Sequence, residues 1–247
     1  MVKLVGILNV TPDSFSDGGQ FFDSESAFAQ ANKLFRDGAD IVDVGAESTR
    51  PGATPLTPDE EWSRLEKIIQ RLVKEYPEKI SIDTYHPSTA ARALKLGDVI
   101  INDVTGLSDP KMVELITTVK ARCVVGHLPG GTPQTAHDGP LVDDMRQVVS
   151  DLLNKAAELE KRGLPGSNII LDPGIGFGKT LELNRQLLEF AREVPGYAVM
   201  VGYSRKRFLG DNRMEPEPNL EAGRTAIGAG AAYLRVHDVA GHRQLLR

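Results

Sequence analysis

Acids, amides and cations recur where short apolar runs end. Ile80-Ser81-Ile82 ends in Asp83, Val99-Ile100-Ile101 in Asn102-Asp103, and Ile169-Ile170-Leu171 in Asp172. The first run ends in Asn9 and the fifth in His127. The second leads to Glu47-Ser48-Thr49-Arg50-Pro51-Gly52, the seventh to Ser204-Arg205-Lys206-Arg207, and the last carries Arg235 and His237. Singly, such a residue is often the N-cap of the next helix. Eight run ends of the same character point to one shared site. Asp83, Asn102, Asp172 and Lys206 supply acceptors and donors for a flat, nitrogen-rich heterocycle with several N–H groups. Asn9, Thr49, Arg50, Arg235 and His237 suit an anion such as a diphosphate. Phe177 offers an apolar platform for an aromatic second substrate.

The sixth run continues as Pro173, Gly174, Gly176, Gly178 and Lys179. A glycine-rich turn between strand and helix is a candidate phosphate cradle. Such turns also have purely structural uses. Strand order places the anion group elsewhere, because strands eight, one and two are neighbours in a closed barrel.

The elements that must position these residues alternate along the chain. Strands are expected at Leu4–Asn9, Ile41–Val44, Ile80–Asp83, Val99–Asn102, Arg122–His127, Ile169–Asp172, Ala198–Gly202 and Tyr233–Val236. Several are apolar throughout, as parallel strands covered on both faces are. Between them, Thr57-Pro58-Asp59-Glu60 reads as an N-cap, a first-turn proline and a capping-box glutamate. Trp62 to Tyr76, Leu141 to Leu159 and Ala27 to Phe35 carry apolar residues at helical spacing. Arg213–Asn219 reads as a surface loop. Eight strand–helix units in one domain over residues 1–247 predict a (β/α)8 barrel. A doubly wound open sheet is the runner-up.

The chain has 247 residues, 40% apolar and 26% charged, with net charge −5. This composition belongs to ordinary globular domains. The acidic balance excludes a generic nucleic-acid binder, which needs surplus Lys and Arg against phosphates. A single cysteine, Cys123, permits no intrachain disulfide, and a reducing cytoplasm is expected. No run approaches the roughly 20 apolar residues of a membrane helix.

Seven motifs then carry a resemblance. ILNVTPDSFSDGG, GAESTRPGA, SIDT, INDVTG, ILDPGIGFGK, GYSRKRFLG and RVHDV, in this order, resemble the dihydropteroate synthase family over nearly the whole chain. The resemblance implies a pterin-binding barrel of folate biosynthesis. It implies that 7,8-dihydropterin-6-ylmethyl diphosphate is joined to p-aminobenzoate with Mg2+, in an SN1-like substitution. Asp83, Asn102, Asp172 and Lys206 match the pterin grip. Thr49, Arg50, Arg235 and His237 match the diphosphate contacts, and Asn9 matches a Mg2+ ligand. Phe177 and Pro51 match the p-aminobenzoate wall, with Arg207 facing its carboxylate or solvent. Phe15 and Asp17 belong to a first loop that closes over the substrates. The implied catalytic set is Asp172, Lys206, Arg235 and His237. A homodimer and inhibition by sulfonamides are further implications.

The pattern departs in places. Gly126-His127-Leu128-Pro129 replaces a frequent Met-His-Met, and the interval from Lys206 to Arg235 is a few residues short. The last helix is short too, which puts the usual dimer in question. His86 is expected as a cap or surface residue, and His137 and His242 as solvated. Glu47 is expected either to support its loop or to touch substrate. The competing functions are a pterin-binding methyltransferase on the same barrel and an inactive pterin-binding relative.

Overall fold

The computed structural model describes residues 1–10, 24–48, 53–130, 132–136, 138 and 141–246. Eight strands, β1 (Lys3–Asn9), β2 (Ile41–Gly45), β3 (Ile80–Asp83), β4 (Ile100–Asp103), β5 (Cys123–Gly126), β6 (Ile169–Asp172), β7 (Ala198–Val201) and β8 (Tyr233–Val236), pair in sequence order into a closed barrel. Every pairing is parallel, and β8 returns to β1 through Val5↔Arg235 and Gly6↔Val236. Closure excludes the open sheet. The helices α1 (Ser24–Arg36), α2 (Pro58–Glu75), α3 (Pro87–Leu94), α4 (Pro110–Val119), α5 (Met145–Lys161), α6 (Leu181–Gln186), α7 (Pro216–Gly228) and α8 (Val239–Arg243) alternate with the strands.

Local chemistry sets the helix ends. Thr57 caps α2, its hydroxyl oxygen accepting from the Glu60 N–H, while the Glu60 carboxylate accepts from the Thr57 N–H. The apolar stripe from Leu141 starts its helix later than its periodicity suggests. Asp144 caps α5 at Arg146, and Leu141 is left 45% exposed. The Arg213–Asn219 stretch is likewise only partly a loop. Pro216 opens α7, where its missing N–H costs nothing, and Asn219 is buried. The final helix α8 has five residues. No helix among the described residues is long and apolar enough to cross a membrane.

Side chains alternate across the strands, which divides the barrel interior into layers. Val5, Ile41, Ile100, Val124, Ile170 and Met200 form a buried apolar plug. Residues two positions further along each strand face the same interior, nearer the C-terminal mouth. On this count they are Ile7, Asp43, Asp83, Asn102, Gly126, Asp172, Gly202 and Arg235. Five of these eight are polar. The apolar plug is therefore the floor of a polar cup. The other faces of the strands meet the helices in one continuous core that includes Leu4, Val42, Ile82, Val125 and Leu171.

Candidate active site

Arg235 stands at the centre of the polar layer. Its Nε donates to Asp43 Oδ2 at 2.6 Å and its Nη2 to Asp83 Oδ2 at 2.6 Å. Asn102 Nδ2 donates to the same Asp43 oxygen at 3.0 Å. Asp43 is fully buried, so its charge is tolerable only because both partners face it. Burial, with the nearby acids Asp43, Glu61 and Asp103, pushes the Asp83 carboxyl up to about 7 against the pull of Arg235. Asp172 is also raised by burial, against Lys206 and the Gly174 N–H, which donates to Oδ1 at 2.7 Å. Burial pushes the Lys206 ammonium down to about 8, with the Arg235 charge adding and Asp172 opposing. The cup thus gathers titratable groups shifted by burial and by one another, as functional sites do.

Lys206 reaches across to the glycine-rich loop. Its Nζ donates to the Ile175 carbonyl and lies 4.8 Å from the centroid of the Phe177 ring. That geometry is a cation–π contact joining the pterin-grip candidates to the aromatic platform. Gly174, Gly176 and Gly178 all have positive φ. At Gly174 a Cβ would stand 2.1 Å from the His127 carbonyl oxygen, so only glycine fits. Lys179 is 3% exposed and turns its Nζ inward to three carbonyls. The glycines and the lysine therefore build the loop itself, and the phosphate-cradle reading of this stretch is set aside.

At the rim, Ser204 Oγ lies 3.0 Å from His237 Nδ1 and accepts from the His237 N–H at 3.3 Å. The Ser204 hydroxyl can donate to Nδ1 or accept from it, so both ring tautomers are compatible with this contact. Asn9 is exposed at the end of β1. Arg207 is exposed at the start of a 3-10 turn, Arg207–Leu209. Phe15, Asp17, Thr49, Arg50 and Pro51 lie outside the described residues, as does His137. The structure therefore brings together Asp83, Asn102, Asp172, Lys206, Arg235 and Phe177, with Asn9 and His237 at the ends of neighbouring strands.

Several polar residues take places that their types do not announce. Asp43, unremarkable in the sequence, holds both Arg235 and Asn102. Glu47 accepts four hydrogen bonds: from Tyr85 Oη and Gln134 Nε2 on Oε1, and from the Leu56 N–H and His86 Nε2 on Oε2. Among the described residues this is loop support. The Glu47, Glu61 and His86 donor atoms lie within 4.8 Å of one another. Glu47 has no lone pair left for a cation, so the cluster is a charge-paired hub. His86 takes the N-cap position of α3, as expected, but its side chain turns to Glu47 instead of capping, and that bond raises its pKa, against burial. His242 is 1% exposed, with its ring nitrogens at the Asp238 and Asn219 carbonyls, which corrects its solvated reading.

His127 is the other departure. It follows Gly126, so alternation turns it outward, where Nε2 meets Asp151 of α5 at 3.1 Å. Burial, then the Lys179 charge, pushes its pKa down from 6.5 to about 4. The fold thus holds the neutral ring while the unfolded chain takes up a proton near 6.5. The stabilisation is complete above that pH and is lost as pH falls toward 4. Denaturation from about pH 7 to about pH 4 is expected to show this as a slope of up to about 1.4 kcal/mol per pH unit. His127→Gln should flatten it; an unchanged slope would mean that His127 does not titrate as placed.

A sequence profile described as pterin binding enzyme matches residues 5–237. The dihydropteroate synthase of Bacillus subtilis (strain 168) is 41% identical over 244 residues, covering 96% of this chain and 83% of that relative. The Xanthomonas albilineans dihydropteroate synthase solved with 4-aminobenzoic acid superposes with a TM-score of 0.88 at 37% identity, covering 99% of this chain and 90% of that one. The Anaplasma phagocytophilum dihydropteroate synthase with bound 6-hydroxymethylpterin-monophosphate gives 0.86 at 33% identity, covering 100% and 99%. Fold, cup and relatives agree, and the chain belongs to the pterin binding enzyme family together with these dihydropteroate synthases.

Proposed function

We propose that the barrel mouth joins 7,8-dihydropterin-6-ylmethyl diphosphate to p-aminobenzoate and releases pyrophosphate. The observation that carries this reading is the cup itself. Asp83, Asn102 and Asp172 stand beside Arg235 and Lys206 on a floor of apolar side chains. Such a set fits the N–H groups and carbonyl of a pterin below, and an anion above.

The roles follow from position for the described residues, and from the family motifs for Thr49, Arg50 and Pro51, which lie outside them. Asp83, Asn102, Asp172 and Lys206 hold the pterin ring. Two nitrogens of Arg235 are fixed by acids, which leaves Nη1 for a diphosphate oxygen. His237 donates a ring N–H to the same group, and the family motif adds Thr49 and Arg50, which lie outside the described residues. Phe177 and Pro51 receive the p-aminobenzoate ring, and Arg207 faces its carboxylate. The bond from the pterin methylene carbon to oxygen breaks, and its electron pair leaves with the diphosphate. Asp172 opposes the positive charge then shared with the ring. The aniline nitrogen forms the new bond and gives up a proton to solvent. Covalent attachment to the protein is not required.

Asn9 offers one neutral oxygen at the rim, and among the described residues its carboxamide has no hydrogen-bond partner. That donor fits Mg2+, which is held by few protein ligands when phosphates and water fill its other positions. Mg2+ bound there supplies positive charge to the leaving diphosphate.

The test is pyrophosphate release on mixing the purified protein with both substrates and Mg2+. Release that needs both substrates is the expected result. A folded protein that binds the pterin and releases none overturns the reading in favour of an inactive pterin binder.

A further inference from the structure

The proposed reaction makes no use of Lys179, although it is the most completely enclosed cation among the described residues, with a relative exposure of 3%. Its Nζ donates to the carbonyls of His127, Gly174 and Phe177, each at 3.0 Å. An ammonium has three hydrogens, and here each has its own acceptor. Burial lowers its pKa to about 7, with Lys206 adding and Asp172 opposing. The three carbonyls favour the ammonium form. One of these carbonyls belongs to Phe177 itself, and another to the segment after β5. A single side chain therefore ties the aromatic platform to a neighbouring part of the barrel rim.

A second side chain holds the same loop from the other side. Asn184 of α6 is 3% exposed, and its Oδ1 accepts from the Gly176 N–H at 2.6 Å. Its Nδ2 donates to the carbonyls of Lys179 and Thr180. The loop also closes on itself, with the Phe177 N–H donating to the Gly174 carbonyl at 3.1 Å. Three glycines at positive φ would otherwise leave this backbone free to adopt many shapes. Lys179 and Asn184 remove that freedom on either side of Phe177.

We propose that Lys179 and Asn184 are positioning residues for the second substrate: they fix the loop backbone so that the Phe177 ring meets p-aminobenzoate. The inference rests on the proposed role of Phe177. Three of the four pterin-grip residues, Asp83, Asn102 and Asp172, sit on β3, β4 and β6, and Asp83 and Asn102 are anchored through Arg235 and Asp43. Loosening the loop should therefore separate the two substrates. The affinity for p-aminobenzoate falls while that for the pterin is kept.

The experiment compares wild type, Lys179→Met and Asn184→Ala. The KM for p-aminobenzoate is read from pyrophosphate release, and the Kd for the pterin diphosphate from calorimetry without p-aminobenzoate. The expected result is a KM raised about tenfold or more in both variants, with the pterin Kd within about threefold of wild type. Lys179→Met strands the His127 and Phe177 carbonyls, while that of Gly174 keeps the Phe177 N–H, and it removes a buried ammonium, so it carries the greater risk of unfolding. Asn184→Ala also removes three bonds but leaves the Lys179 ammonium in place, and it decides the matter if the first variant does not fold. A p-aminobenzoate KM that stays at the wild-type value in folded Asn184→Ala overturns the proposal, and so does an equal loss for both substrates. An inactive wild type removes the functional reading and this inference together. An active wild type with indifferent variants removes only the inference.

Discussion

Arg235→Ala is expected to lower turnover about 100- to 1,000-fold, a loss on the order of 3–4 kcal/mol of transition-state stabilisation. Two effects add. The first is removal of a fixed cation from beside the leaving diphosphate. The second falls on the resting protein, where Arg235 pairs with Asp43 and Asp83 at once. Without it two buried acids face each other, and Asp83, already pushed up to about 7, rises further. A neutral Asp83 then presents a proton where the pterin presents one. Lysine should not restore the function, because one ammonium on a flexible stem does not reproduce a fork held by two acids. The measurement is pyrophosphate release at saturating substrates, with the fold checked by circular dichroism. An Arg235→Ala enzyme with unchanged turnover would remove this residue from the anion site.

Asp172→Asn is the second large expectation. Asparagine keeps the shape, and its carbonyl oxygen can still accept from the Gly174 N–H, so the loop start is preserved. What is lost is the negative charge against the cation that forms on the pterin. Turnover should fall on the order of 100-fold, with the KM for p-aminobenzoate little changed. A further consequence separates charge from geometry. Asp172 is the main group holding the Lys206 pKa up; burial has already lowered it to about 8. Without Asp172 it falls further, and a function that needs the ammonium is lost at a lower pH than in wild type. The basic limb of the kcat/KM profile should therefore move toward neutral. A profile superimposable on wild type would show that Lys206 does not depend on Asp172.

The strand ends show how far a residue pattern reaches. Asp83, Asn102 and Asp172 each sit two positions beyond a residue of the apolar floor, counting Ser81 on β3, so alternation alone sends them into the barrel. The same rule sends His127 outward, one position past Gly126, toward α5. That was legible too, had the phase of each strand been compared with its neighbours. Period-two phase, more than residue type, separates a site residue from a wall residue here.

Other assignments were not legible. Asp43 and Arg235 lie 192 positions apart, and their pairing exists only because β8 closes onto β1 beside β2. Glu47 meets Gln134 across 87 positions and His86 across 39. The start of α5 was obscured because Leu141 and Val142 continue the apolar period of a helix they do not enter. Val142 instead pairs with Lys179 as an isolated bridge. His242 appeared solvated because nothing local shows that the carbonyls of Asp238 and Asn219 meet its ring.

The sequence by itself determined the number and order of the strands, the closed barrel they form, and the set of acids and cations gathered at one end. Those features are local: periodicity, capping residues and the residue types at strand ends. Only the tertiary structure decided what the glycines and Lys179 of the Asn168–Lys179 stretch are for. Its glycines and lysine have the composition of an anion-binding loop. Lys179 is buried, however, and all three of its hydrogens are taken by carbonyls brought there by β5 and by the turn itself. A buried ammonium with every hydrogen engaged has none left for a phosphate. Composition records which groups are available, and the fold decides which of them are already satisfied.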